Sequence, residues 1–316
     1  MKEGLVDVRT KVGIDVAGSE RHNITGDVSI PHIIVTDEEG TVTLSSLQVE
    51  SSLKEGLRHV SLTSPYIKGK ADGHFEWNDL AQYLQQTVHQ WIPGIVKAPS
   101  ATPSTCQADF SLTVTDPTPL ERFAGIPLRL KDGPLQLNAL VDTEQDLLNV
   151  YADAPSIGYG SEDLLHFCFS TQSQHQKMST RLSASRIMKN NPVDIALHID
   201  AEDQLLTTRL SWDDHLDPVT SGAIALRGNV LREDNQVAIE GEVLPTSLQI
   251  GDTLWNIHPT RIHFHDGVLG VQDFRMTMED DDRWLAVHGN ASKSTEDTLL
   301  VDLKGIELGY IFDLVH

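Results

Sequence analysis

The chain has 316 residues, 39% of them hydrophobic, with 46 acidic against 24 basic side chains for a net charge of −22. That is enough apolar material for a core and too little for a membrane-embedded protein. The acidic surplus repels phosphate backbones and anionic surfaces, which argues against nucleic acid as a partner and against a polybasic membrane anchor.

The start, Met1-Lys2-Glu3-Gly4, has no apolar run behind it, so neither a signal peptide nor a transmembrane segment is expected. A cytoplasmic protein, or a piece of something longer, fits that start. From Val6 to Val16 the even positions (Val6, Val8, Thr10, Val12, Ile14, Val16) alternate with Asp7, Arg9, Lys11, Gly13 and Asp15. Period-two alternation of this kind marks a strand with one buried and one wet face. A helix is expected from Trp77 to Ile92, where Trp77, Leu80, Leu84, Val88 and Trp91 recur at helical spacing, and Pro93-Gly94 stops it. The Pro-rich, small-residue stretch 97–105 follows as a linker. It separates a first β segment, 1–96 with its helix at 77–92, from a second, 106–316.

Within the second segment the runs Phe110-Leu112-Val114, Leu135-Leu137-Ala139-Val141 and Leu165-Phe167-Phe169 read as further strands. So do Val193-Ile195-Leu197-Ile199, Phe274-Met276-Met278 and Leu299-Val301-Leu303. A short second helix is expected at Pro119–Ala124. Turns are expected at Asp37-Glu38-Glu39-Gly40, Lys131-Asp132-Gly133-Pro134, Asp213-Asp214-His215, Asp234-Asn235 and His265-Asp266-Gly267. No helical pattern alternates with the strands, so a parallel sheet is not expected. The chain ends on an apolar stretch, 305–316, which leaves the pattern unfinished.

Few residues suggest chemistry. His263 and His265 share one side of a strand and could hold a metal with a third ligand, but they also read as the polar side of the strand that carries Ile262 and Phe264. Glu279-Asp280-Asp281-Asp282 lacks the spaced ligands of a calcium loop and reads as a charged hairpin tip. Ser156 and Ser161 sit near acids, without a nucleophile elbow or a histidine base. Acidic residues are too numerous for any carboxylate pair to stand out, and no Gly-rich loop opens a helix. The five tryptophans, Trp77, Trp91, Trp212, Trp255 and Trp284, are scattered and expected to pack in the core or at edges. Cys106 and Cys168 are too few for a disulfide framework; one bridge or two free thiols are both open. Neither an enzyme nor a cofactor is expected.

The passage from Leu244-Pro-Thr-Ser through Asp252-Thr-Leu-Trp255 to His258-Pro-Thr-Arg-Ile262 resembles the TamB-like proteins, translocation and assembly modules of the wider AsmA-like group in Gram-negative envelopes. Val271-Gln-Asp-Phe274, Leu285-Ala-Val-His-Gly-Asn290 and Asp297-Thr-Leu-Leu-Val-Asp-Leu303 extend the likeness. Upstream, Ser64-Pro-Tyr66, Gly73-His-Phe75 and Ala154-Pro-Ser-Ile-Gly-Tyr-Gly160 also resemble that family. Family members begin with an inner-membrane helix and end with a distinctive domain that meets outer-membrane assembly machinery. Neither is visible here, so the resemblance implies an internal segment or a truncated gene product.

The resemblance also implies a fold: an all-β, elongated, curled antiparallel sheet, forming an open trough, with one or two short helices. About twenty strands at ~4.8 Å would make roughly 95 Å of trough. Its implied role is a periplasmic bridge, tethered to the inner membrane in the full-length protein. Along it would pass phospholipid acyl chains, or outer-membrane proteins awaiting assembly. Inward positions of the alternating runs would line the trough: Val8, Val12, Ile14, Leu112, Val114, Leu137, Val141, Phe167, Phe169, Ile195, Leu197, Phe264, Phe274, Met276 and Val301. The same strands would also suit a surface adhesin or carbohydrate-binding β-sandwich, or a polysaccharide-degrading enzyme on a β-solenoid.

Overall fold

A computed structural model describes residues 7–18, 24–37, 40–101, 104–160, 162–188, 190–217, 219–234, 236–278, 282–294 and 296–306. The expectations for Met1–Gly4, for Val6, for Glu38, Glu39 and Asn235 in turns, for Ser161, for the acidic tip at 279–281 and for the tail at 307–316 lie outside them. Strands take 69% and helices 7%, in one large antiparallel sheet that is not a closed barrel. The all-β class with two short helices is therefore as expected. Contacts divide the chain into two compact units. The first holds Met1–Tyr83, Thr102–His175 and Leu182–Arg186; the second holds Leu84–Ala101, Gln176–Arg181 and Ile187–His316.

In the first unit, β1 (Asp7–Thr10) and β2 (Gly13–Ala17) both pair with β3 (Thr25–Asp37). Pairing then runs in sequence order through β4 (Gly40–Lys54), β5 (Leu57–Thr63) and β6 (Ile67–His74). The chain leaves the sheet for helix α1 (Trp77–Trp91) and returns as β7 (Gln107–Val114) beside β6, the strand it left. The stretch 97–105 thus separates α1 from β7, while the division between compact units falls inside α1. After helix α2 (Thr118–Ala124) and β8 (Leu128–Lys131), β9 (Leu135–Asp142) adds to β7. Next, β10 (Leu147–Tyr159) pairs with both β8 and β9, and β11 (Glu162–Gln174) follows.

Helix α1 buries a different stripe from the expected one. Leu80, Tyr83, Thr87 and Trp91 are buried, whereas Leu84 and Val88 lie at the exposed margin and Trp77 is 53% exposed. Spacings of three and four select Leu80-Tyr83-Thr87-Trp91 as one helical face, with the polar Thr87 in a place that a purely apolar pattern does not mark. Leu80 and Tyr83 pack with Phe75, Cys106, Ala108, Val141 and Leu148 into the first unit's core. Trp77 spends its ring on Phe75, edge-on at 5.0 Å.

The second unit contains part of β12 (Lys177–Met188), then β13 (Asn191–Glu202), β14 (Leu205–Asp213), β15 (Thr220–Glu233) and β16 (Gln236–Leu244). A hairpin of β17 (Thr246–Ile250) and β18 (Thr253–Ile257) extends one end of the sheet. Pairing otherwise continues from β16 to β19 (Thr260–His265), β20 (Val268–Met278), β21 (Trp284–Ala291) and β22 (Leu299–Lys304). Its core is Val243, Leu248, Trp255, Ile257 and Met278. Gly94 docks on β15, donating to Val230 O at 3.2 Å; a Cβ there would lie 2.2 Å from Leu231 O.

A candidate apolar transport surface

Residues directly opposite one another on antiparallel strands share a face, so the registers show which side chains line up. Across the first unit, from β2 to β11, Ile14, Val28, Val49, Leu62, Gly69, Leu112, Leu137, Ala152 and Phe169 stand in one unbroken row. One residue along each strand lies the opposite face: Asp15, Asp27, Glu50, Ser61, Lys70, Ser111, Asn138, Tyr151 and Ser170. The local cause is plain: each strand alternates, and every register is in phase with its neighbour's.

The second unit repeats the arrangement. Ala201, Leu206, Gly228, Gly241, Ile262, Val271, Gly289 and Leu299 form a row from β13 to β22. Beside it, on the other face, run Asp200, Thr207, Arg227, Glu242, Arg261 and Gln272. A second apolar row joins Ile195, Trp212, Gly222, Leu248, Trp255 and Met278. The register slips between Val271 and Phe274, where Asp273 adopts φ 56°. This bulge adds one residue, so Phe274 and Met276 return to the side of Val271. Without it they would point to the polar face.

Most of the expected lining residues fall on these faces. Leu112, Leu137, Phe167, Phe169, Ile195, Leu197, Phe264, Phe274 and Met276 are half-buried, while Ile14 and Val301, on outer strands, are 67% and 56% exposed. Four require correction. Val141 is only 2% exposed because it lies in the core with Leu80 and Tyr83 of α1, and Val114 is 3% exposed; both are packed interior. Val12 lies between β1 and β2, outside any strand. Val8 sits opposite Val35, on the other side of β3 from Val28 and Ile14. Between those paired stretches β3 has Ile30, Pro31 and His32 against only Lys11 and Val12. Pro31 has no N–H for the ladder, and the odd residue turns β1 over relative to β2.

Polar groups lie at both ends of the first unit's apolar rows. At one end Arg58, only 7% exposed, donates from Nη1 to Ile24 O at 2.9 Å and lies 3.7 Å from Glu76. At the other end, on β8 and β11, Arg129 and Lys131 both bond to Asp163. The Lys131 ammonium first, then the Arg129 guanidinium, hold the Asp163 carboxyl below its ordinary range. Nothing local in the sequence distinguishes these positions; only the register gathers them.

Elsewhere the geometry is that of a solvated surface. Ser179 Oγ and Asp200 Oδ1 both approach Nε2 of His198, at 3.1 and 3.2 Å. A hydrolytic triad needs the acid on one ring nitrogen and the serine on the other, so this trio is not one. His263 and His265 stand opposite Gly270 and Val268, and no group of three or more His, Cys, Asp or Glu is placed to hold a metal among the described residues. His263 helps line an open polar hollow of about 520 Å³ with Arg227, Asn229, Glu240, Glu242, Arg261 and Gln272. Cys106 and Cys168 are free thiols. Cys106 lies in the helix-covered core, whereas Cys168 faces Asp153 on the polar side. No helix among the described residues is long and apolar enough to cross a membrane. Comparison with family models, curated proteins and solved structures finds no match for this chain.

Proposed function

We propose that this chain is a non-enzymatic scaffold of the Gram-negative envelope, in the manner of the TamB-like proteins it resembles, and that its apolar sheet faces carry lipid acyl chains between the inner and outer membranes. The observation behind this reading is the unbroken cross-strand row from Ile14 to Phe169, apolar on one face and polar on the next residue along. Its eight inter-strand steps of ~4.8 Å make a strip of about 38 Å. One leaflet of acyl chain fills only ~15 Å of a bilayer, so the strip offers a lipid several overlapping positions. Each methylene removed from water contributes about 0.8 kcal/mol wherever along the strip it lies. Near-equivalent positions hold a chain without trapping it at one of them, as conduction requires.

Mass spectrometry of the repurified chain, after exposure to phosphatidylglycerol and phosphatidylethanolamine vesicles, tests the reading. At least one phospholipid per chain is expected, and the pair Leu112→Glu and Leu137→Glu is expected to remove it while Ser111→Glu leaves it bound. A folded chain that takes up no lipid contradicts the reading. Glycan binding by that lipid-free chain would put the adhesin reading in its place.

A further inference from the structure

The apolar rows of the first unit run out, on β10, into a cationic cluster. Ala154 stands opposite Phe167. Two residues on, Ser156 stands opposite Lys131 on β8 and Leu165 on β11, and two further on Gly158 stands opposite Arg129 and Asp163. Alternate residues of a strand share a face, so these side chains lie on the same side as Ala152, Ala154 and Phe167.

Two cations there share one carboxylate. Arg129 Nη2 lies 2.6 Å from Asp163 Oδ1, and Lys131 Nζ bonds to the other oxygen. Neighbouring Glu162 is engaged by Arg186 at 2.7 Å. The trio of Arg129, Lys131 and Asp163 therefore keeps one positive charge, within a chain of net charge −22. Gly158 leaves room for the approach: a Cβ there would lie 2.5 Å from Asp163 Oδ1 and 2.6 Å from Arg129 Nη2. Beside them Ser156 is 1% exposed, and its Oγ has no hydrogen-bond partner among the described residues. A buried hydroxyl without a partner is costly, and an oxyanion beside it would accept its proton.

We propose that Arg129, Lys131 and Ser156 form a subsite for the phosphate or carboxylate head of an amphiphile whose chain lies along the apolar rows at Ala152, Ala154 and Phe167. The subsite rests on the lipid reading above and adds to it a preference for an anionic head. Lys131, 56% exposed, trades part of its hold on Asp163 for the head, while Arg129, which also donates to the carbonyls of Gly160 and Glu162, presents its charge from a fixed place.

Calorimetric titration of the full chain with octyl phosphate, octyl glucoside and inorganic phosphate tests this. Octyl phosphate is expected to bind about tenfold more tightly than octyl glucoside, the worth of one charge-assisted contact. The pair Arg129→Gln and Lys131→Gln is expected to erase that preference without weakening octyl glucoside, whereas Arg129→Lys with Lys131→Arg keeps it. Ser156→Ala is expected to weaken octyl phosphate several-fold, with an unchanged circular dichroism melt excluding misfolding. Equal affinities for the two amphiphiles, or a preference that survives the glutamine pair, overturn the subsite and leave the lipid reading standing. If neither amphiphile binds, both fall. Phosphate binding that depends on Arg129 and Lys131, with no amphiphile bound, makes this a free-anion site and overturns the amphiphile form.

Discussion

Two exposed ionisable side chains report whether the polar contacts around the apolar rows are as placed here. Asp163 is held low by Lys131 and Arg129, so its folded pKa lies below its unfolded one. Its contribution to stability is present above the unfolded value, about 3.9, and is lost as pH falls through the folded value. His215, bonded to Asp194 at 2.8 Å and close to Asp213, is held above its ordinary 6.5. Its contribution is complete below that value and lost as pH rises through the folded one. Carboxyl and imidazole NMR titrations should give midpoints displaced in those opposite directions. Lys131→Gln should bring Asp163 back up, and Asp194→Asn should bring His215 back down. The cysteines give a second check at this scale. Cys106 is 3% exposed, with its thiol pushed up by burial and by the carboxylates of Asp79 and Asp142, so a thiol reagent should label Cys168 well before it. Equal labelling would mean that α1 does not cover the β7 end of the sheet. Trp255, 3% exposed in the second unit's core, should cost about 3–5 kcal/mol in urea melts when changed to Ala. Trp77→Ala, at an exposed site, should cost far less.

At the scale of the element, the bulge at Asp273 keeps β20 in phase with the apolar face. Deleting Asp273 should turn Phe274 and Met276 away from the apolar face and bring the exposed Arg275 onto it. The expected result is loss of the cooperative urea transition, or a fall of several kcal/mol, while Gln272→Ala on the same strand changes stability by less than about 0.5 kcal/mol. That case also shows what the sequence makes legible. Alternation in single runs such as Leu135 to Val141 is sufficient to identify strand and face, because it depends only on the strand's own pleat. A phase slip depends on the neighbour. The bulge on β20 is visible in the chain only as a broken alternation, and the reversal of Val8 is not visible in its own run at all, since Pro31 on β3 causes it. Turns divide the same way. Asp266-Gly267 announces itself, but Asp203-Gln204 takes the same paired positive φ values, 49° and 66°, with no glycine to signal it. In α1 an apolar-only template passes over Thr87 and selects Leu84 and Val88, the margin of the true face. The cluster of Arg129, Lys131 and Asp163 belongs with these failures: Asp163 lies 34 and 32 residues from its two cations and meets them only through the pairing of β8, β10 and β11.

At the scale of the whole molecule, the strands of each unit present apolar residues to one side and polar residues to the other, and the proposed lipid path follows the first. Strand β9 offers the cleanest test, because its two faces and its covered end lie within a few residues. A photo-crosslinking residue placed singly at positions 135 to 141, in the presence of phospholipid vesicles, samples all three environments. Lipid adducts are predicted at Leu135, Leu137 and Ala139, none at Gln136, Asn138 or Leu140, and none at Val141, which is packed with α1. Adducts that ignore the alternation, or a strand that yields none at all, would contradict the account.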